Sequence, residues 1–135
     1  MLFRSRQVDG HFSIENPAGS LLFFYEPIQS LMVLSDVFLI SFAQCAYGLQ
    51  FPDAKPGDFC KKQTWLLTTI PELRDLRRSC PGNSHTHRHV GAWGEVVYKG
   101  VRHRRAKLAG HYPLQLCIDW AQRVSDCFNR LCRRT

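Results

Sequence analysis

The feature that most constrains the fold of this chain is a nearly continuous apolar run, Val37-Phe-Leu-Ile-Ser-Phe42. A short run rich in strand formers is typical of a strand that is covered on both faces. A second strand is predicted over 11–17, where Pro17 limits further pairing, and a short helix is predicted over 28–35. A strand, a helix and a strand in this order predict a βαβ unit with a parallel sheet, and therefore an α/β fold.

The second half of the chain is predicted from its prolines, glycines and apolar spacing. Pro71 predicts the start of a helix over 72–79, and Pro113 predicts the start of a longer amphipathic helix. The other predicted elements are a loop over 48–60, a strand over 64–70, an irregular segment over 80–94, and a basic hairpin over 95–98 and 101–107. The last helix carries an apolar stripe that we expect to pack in the core, made of Leu114, Cys117, Ala121, Val124, Phe128 and Leu131.

The charge of the chain is divided unevenly between its halves. The 135 residues, 44% of them hydrophobic, suffice for one domain with a core, and the net charge is +7. Residues 1–60 carry three basic and six acidic side chains, whereas residues 61–135 carry fifteen and five. A basic half predicts a polyanionic partner, although cations on a hairpin edge also serve to prevent strand pairing. The candidate nucleic-acid contacts are Arg88, Lys99, Arg102, Arg104, Arg105 and Lys107.

Six cysteines and a cluster of histidines suggest metal binding. Residues 1–10 lack the apolar core of a secretory signal and no segment predicts a membrane span, so we expect an intracellular protein, with the nucleus left open. Free thiols or metal ligands are then more plausible than disulfides. The candidate zinc ligands are Cys60, Cys80, His85 and His87, with His89 in the same stretch. The alternative is a solvated loop that contacts phosphate through Arg88, and Cys45 is expected to be a small buried residue.

Several short motifs occur along the chain in an order that can be compared with known families. Ile-Glu15-Asn16-Pro17 is followed by a Cys-Ala-Tyr-Gly strand end at 45–48, by Lys62-Gln-Thr64, and by the Cys/His loop. Ala-Gly-His-Tyr-Pro at 109–113 then precedes the last helix. This order resembles the C-terminal half of divergent DNA cytosine methyltransferase-like proteins, which are found in phages and in mobile elements of dinoflagellates. The family has Lys-Pro-Thr where this chain has Lys62-Gln-Thr64.

The resemblance implies part of a Rossmann-type methyltransferase sheet and a role in base recognition. Glu15 would contact N3 of a flipped-out cytosine, and Asn16 would support it. The Gly-rich loop that binds S-adenosylmethionine and the Pro-Cys nucleophile of the family are not recognised in this sequence. We therefore expect a single domain over 1–135, with the His-rich loop and basic hairpin at 80–110, that is inactive alone. It would be the C-terminal half of a larger methyltransferase-like domain, and either the gene is a fragment or the N-terminal half lies in another chain.

Three functions remain open on the sequence alone. The first is the base-binding side of a DNA cytosine methyltransferase, with S-adenosylmethionine bound only in an intact homologue. The second is a non-catalytic nucleic-acid-binding protein, for which DNA is favoured over RNA. The third is a small module stabilised by zinc.

Overall fold

The computed structural model describes residues 10–134 and has a mixed α/β architecture. Its main sheet contains β1 (Ser13–Pro17), β2 (Phe38–Ala43) and β4 (Gln63–Thr68) in the order β1-β4-β2. The strand β4 is antiparallel to both neighbours, with Glu15 opposite Leu66 and Ile40 opposite the same residue. The predicted α/β class is confirmed at this level. The predicted parallel sheet is wrong, because β4 lies between the first two strands and pairs antiparallel with both.

Two apolar clusters cover the two faces of this sheet. Adjacent residues of a strand point to opposite faces, so Leu66 and Leu67 belong to different clusters. The Leu67 cluster includes residues of the 3-10 helix Leu21–Phe24 and of α1 (Glu26–Met32). The Leu66 cluster joins β2 to the 3-10 helix at 71–76 and to the last helix, through the following buried residues: Ile40, Phe42, Tyr47, Ile70, Leu73, Leu76, Leu116 and Cys127.

The segment after Pro71 is a 3-10 helix, Pro71–Leu76, rather than the predicted α-helix over 72–79. Its two buried residues, Leu73 and Leu76, are three positions apart, which is one turn of a 3-10 helix. This spacing places both leucines on the sheet. Packing of these leucines on the sheet therefore favours a 3-10 helix. The acidic start and basic end of the segment, on which the helix was predicted, do not indicate this packing.

The last helix, α3 (Leu114–Cys132), begins after Pro113 as predicted, but it packs on a different face. Leu116 and Cys127 are its buried residues. The stripe that was expected in the core is exposed, with Leu114 75% and Phe128 67% accessible. An ion pair between Arg130 and Glu72 holds the opposite face of α3 on the domain.

Both predicted irregular segments contain a short strand. β3 (Asp58–Cys60) ends the segment 48–60, and β5 (Arg88–Val90) lies within 80–94. These two strands pair in parallel as a separate two-stranded sheet. Parallel pairing across such a separation was not detectable from the local sequence.

The basic hairpin is formed by β6 (Glu95–Tyr98) and β7 (Val101–Arg104). Its turn residues Lys99 and Gly100 have φ angles of 51° and 76°, as a type I′ turn requires. β7 is shorter than the predicted 101–107, because a turn of helix, α2 (Arg105–Leu108), begins there.

Two further expectations concern a secretory signal and a membrane span. The predicted lack of a secretory signal depends on residues 1–10, of which 1–9 lie outside the described residues. Among residues 10–134, none of the helices combines the length and apolar character that a bilayer span requires.

Candidate metal centre

Four ligand atoms converge beside the end of β2. They belong to Cys45, Cys80, His87 and His89, and all lie within 4.8 Å of one another. The Sγ atom of Cys80 is 3.7 Å from Nε2 of His87 and 3.3 Å from Nε2 of His89, and the two nitrogens are 3.2 Å apart. With zinc–sulfur bonds of about 2.3 Å and zinc–nitrogen bonds of about 2.0–2.1 Å, neighbouring ligand atoms of a tetrahedral site lie about 3.3–3.8 Å apart. The three separations among Cys80, His87 and His89 are close to these values, and Cys45 Sγ lies within 4.8 Å of each of the other ligand atoms.

Backbone pairing brings the two cysteines together. Cys45 lies in the 3-10 helix Gln44–Tyr47 that directly follows β2. The chain after Leu76 runs alongside this strand, with an isolated parallel bridge between Phe42 and Arg78 and a hydrogen bond of 2.8 Å from the Ala43 amide to the Arg78 carbonyl. Two residues later the chain reaches Cys80, whose thiol therefore lies near that of Cys45.

The beginning of β5 orients the two histidines, because His87 directly precedes the strand and His89 lies within it. His87 and His89 are two positions apart, and residues at this spacing in an extended chain point to the same face. The His87 ring stacks on Phe59 of the paired strand, with centroids 4.6 Å apart and planes at 18°. Packing of this kind fixes the ring orientation before any ligand is bound.

Arg88 lies between the histidines and secures the start of β5. Its Nε donates to Asp58 Oδ1 at 2.8 Å, and its other nitrogens donate to the carbonyls of Pro56 and His85 at 2.8 Å and 2.6 Å. These bonds link β5 to the chain around β3. The guanidinium that was predicted to contact nucleic acid thus also forms bonds within the protein, while 46% of its side chain remains exposed.

Burial alters the acid–base properties of the cluster. It raises the pKa of the Cys45 thiol to about 11, and the neighbouring Cys80 adds to this shift. Burial also lowers the pKa of His89, with smaller contributions from His87 and Lys61. An imidazole that stays neutral is ready to coordinate a metal, and a bound dication favours the thiolate form of a cysteine.

The predicted and observed ligand sets overlap in part. Cys80 and His87 are in the cluster, as is His89 from the same stretch. Cys60 lies elsewhere, buried with Leu49 and Phe51 in a small apolar cluster that raises the pKa of its thiol. His85 is exposed on the loop and lies outside the group. Cys45, expected to be only a small buried residue, is indeed buried but contributes its sulfur to the cluster.

Glu15 is the third of the five residues of β1 and lies opposite Leu66. The Tyr112 hydroxyl donates to its Oε2, while Oε1 is buried without a hydrogen-bond partner. Burial, together with this carboxylate, raises the pKa of Tyr112 to about 12. The Lys62 ammonium lies 5.1 Å from the Tyr112 ring centre and donates to the Ala109 carbonyl. Asn16 is partly buried opposite Trp65.

The cations of the hairpin region differ in how they are bound. Arg105 forms a two-pronged ion pair with Asp53 and lies over the Phe51 ring, so it secures the loop over 48–60. Arg102 pairs with Glu95 at 3.2 Å on the open surface. Lys99 lies beside Tyr98. Arg104 and Lys107 have no ion pair among residues 10–134, which leaves them available to an external anion.

Comparison with protein-family models, with curated proteins and with solved structures finds no match for this chain. Its function is therefore argued from the geometry of its own residues.

Proposed function

We propose that the chain is a small module stabilised by a structural zinc ion bound to Cys45, Cys80, His87 and His89. The observation that carries this proposal is the convergence of four ligand atoms within 4.8 Å, with the three separations among Cys80, His87 and His89 close to the edges of a tetrahedral zinc site. Two thiolates and two imidazoles are ligands that zinc prefers. Four protein ligands close the coordination sphere, so the metal would hold the fold together rather than activate water.

The test is metal content and the spectrum of a cobalt-substituted protein. The wild-type chain should contain about one zinc per molecule, and Co²⁺ in its place should give the intense visible bands of tetrahedral coordination. Cys80→Ser should lose both. His85→Ala is the matched control, because His85 lies in the same loop outside the cluster, and it should behave as wild type.

A ligand swap separates coordination from packing. His89→Cys retains a donor atom, so it should still bind cobalt, with a stronger sulfur-to-metal charge-transfer band. His89→Ala should not bind. Wild-type protein that is purified with zinc available, yet contains none and takes up no cobalt, would refute the proposal.

The hairpin offers this module a nucleic-acid contact, with DNA as the favoured partner. Cross-strand neighbours share a face, so Arg102 and Arg104 project from the same side as Val97 and Glu95. Arg105 is already paired with Asp53. Replacing Arg102 and Arg104 with alanine should reduce the salt dependence of duplex binding by roughly one to two units, whereas the Arg105/Lys107 pair should have a smaller effect. Binding that does not respond to salt would contradict this role.

The second candidate function is the base-binding side of a DNA cytosine methyltransferase. The observation that favours it is Oε1 of Glu15, a buried carboxylate oxygen without a partner. A group of this kind is costly to keep unless a ligand satisfies it. No glycine-rich turn joins a strand to a helix within residues 10–134, so this chain would not itself hold S-adenosylmethionine. That cofactor and the nucleophilic cysteine would come from an N-terminal half in another chain.

Complementation tests this second candidate. Mixing the chain with the N-terminal half of a divergent cytosine methyltransferase should restore methyl transfer to DNA. Glu15→Gln should then remove most of the activity, since a neutral amide cannot stabilise the charge that develops on the base. Glu26→Gln, on the exposed face of α1, is the matched control. Equal activity of the Glu15→Gln and wild-type chains would reject the role of Glu15.

A further inference from the structure

The helix α3 carries a row of apolar side chains that nothing in residues 10–134 covers. The row is spaced alternately by three and four residues, which is the pattern of the contact positions in a coiled coil. Leu114 and Phe128 are its most exposed large members. We call this row the seam; it consists of Leu114, Cys117, Ala121, Val124, Phe128 and Leu131.

The seam lies about a quarter turn around the helix from the buried face. Successive residues of an α-helix are rotated by about 100°, so Cys117 lies beside the buried Leu116 rather than beneath it. The charged residues of α3 are on the domain side. Arg123 pairs with Asp75 at 3.4 Å, and Arg130 pairs with Glu72. The seam is therefore apolar along its length, with no charge among its six members.

We propose that the seam is the interface of an antiparallel homodimer. The six positions are symmetric about the point midway between Gln122 and Arg123. A two-fold axis at this point sets Leu114 against Leu131 of the second copy and Ala121 against Val124. It also sets Cys117 against Phe128. An interface of this kind is isologous, because one surface pairs with itself.

A hollow beside the seam explains why a second copy fits. The small side chains of Cys117 and Ala121 leave an apolar depression of about 370 Å³, which is also lined by Tyr112, Leu116 and Trp120. In the antiparallel arrangement the Phe128 ring of the second copy lies opposite this depression. A large side chain entering a hole formed by small ones is the packing that stabilises paired helices.

A parallel pair would use the same residues less well. It would place Phe128 against Phe128 and Cys117 against Cys117, so that large residues oppose large ones and the depression stays unfilled. The 19-residue helix is about 28 Å long, which puts the contact at the small end of specific interfaces. We therefore expect a dimer that dissociates in the micromolar range.

Sedimentation equilibrium of the zinc-loaded chain over a range of micromolar concentrations tests the proposal. The wild-type protein should pass from monomer to dimer as its concentration rises. Phe128→Asp should weaken dimerisation by at least about tenfold, because a charge would enter an apolar contact. Val33→Asp is the matched control, since Val33 is 83% exposed but lies far from the seam in sequence and on α1's C-terminal end. A wild-type chain that stays monomeric throughout, or a Phe128→Asp chain that dimerises equally well, would overturn the proposal.

Cross-linking tests the direction of the helices. In a Cys132→Ser background, Phe128→Cys places a new thiol opposite Cys117 of the second copy. Diamide, which takes two hydrogens from two thiols, should then produce a covalent dimer that disappears when Cys117 is also replaced by serine. The Cys132→Ser parent should give no such dimer. Efficient cross-linking of the parent through Cys117 would indicate parallel helices and overturn the antiparallel arrangement.

Discussion

The main sheet and the segment 80–110 are stabilised in different ways. The sheet and the helices on it bury large apolar side chains on both faces, and Leu66 and Leu67 at its centre are fully inaccessible. Within 80–110, by contrast, only Val96 and His87 are buried. We call these the sheet region and the loop region. Hydrophobic burial orders the first region, whereas we expect the second to depend on the proposed metal cluster and on the bonds of Arg88 and Arg105.

Removing the metal should give the largest difference between the regions. Apparent binding energies of structural zinc reach about 10–16 kcal/mol in small zinc domains, far more than the few apolar contacts of the loop region supply. A chelator should therefore speed amide exchange in residues 80–94 by more than about tenfold, while the amides of β4 should remain protected. Hydrogen exchange followed by mass spectrometry measures both segments in one sample. Equal loss of amide protection in both regions would contradict the inference that they are stabilised in different ways.

A cavity in the sheet region should be the next largest effect. Leu66→Ala removes a fully buried side chain and should lower the free energy of unfolding by about 2–5 kcal/mol. Urea denaturation of the zinc-loaded protein measures this loss. Leu21→Ala is the control, because Leu21 is 85% exposed and should change stability by less than about 0.5 kcal/mol. A loss for Leu66→Ala as small as the control's would mean that burial does not order this region.

Arg88 tests whether polar bonds support the loop region. Arg88→Met keeps much of the side-chain length but removes the bonds to Asp58 and to the two carbonyls. We expect a loss of about 1 kcal/mol and weaker cobalt binding, because β5 would no longer be held on β3. Arg102→Met, which removes an exposed ion pair with Glu95, should have little effect on either. Unchanged cobalt affinity in Arg88→Met would show that the histidines are positioned without this arginine.

The smallest expected effect is the pH-dependent loss of stability when the ion pair between Arg130 of α3 and Glu72 is removed. The hydrogen bond from Arg130 holds the pKa of Glu72 below its usual value. Because the folded-state pKa is the lower one, this pair stabilises the fold above the unfolded pKa of glutamate, and the gain is lost as pH falls through the folded pKa. Glu72→Gln should therefore lower the urea midpoint slightly at neutral pH and have progressively less effect in acid. A Glu72→Gln effect that is independent of pH would contradict the assignment.

The sequence predicted the sheet region better than the loop region. The reason is that the elements of the sheet region have local sequence signals, whereas the loop region depends on contacts between residues far apart in the chain. Apolar runs located β2 and β4, and Pro113 located the start of α3. Such signals are local, and they do not reveal which strands become neighbours. The apolar stripe of α3 was recognised for the same reason, but its spacing could not show whether the domain would cover it.

The candidate metal centre shows the same limit of local sequence signals more clearly. Cys80 and His87 are close in sequence, so their proximity was suggested by the sequence itself. Cys45 is distant in the chain, and only the pairing of residue 78 with the end of β2 brings it to them. The sequence did contain one indication that Cys45 could be a ligand. A cysteine that directly follows a buried strand lies at a sheet edge, where loops from elsewhere converge.

The central position of β4 has a consequence for the order in which the chain folds. Both β1 and β2 are made before β4, yet neither pairs with the other, so each waits for residues 63–68. The contacts that close this sheet join residues up to 55 positions apart in sequence, as between Ser13 and Thr68. Non-local pairing of this kind slows folding, and unpaired apolar strands are prone to associate with other chains meanwhile. During synthesis, the first third of this protein would therefore lack its sheet partner until residues 63–68 have left the ribosome.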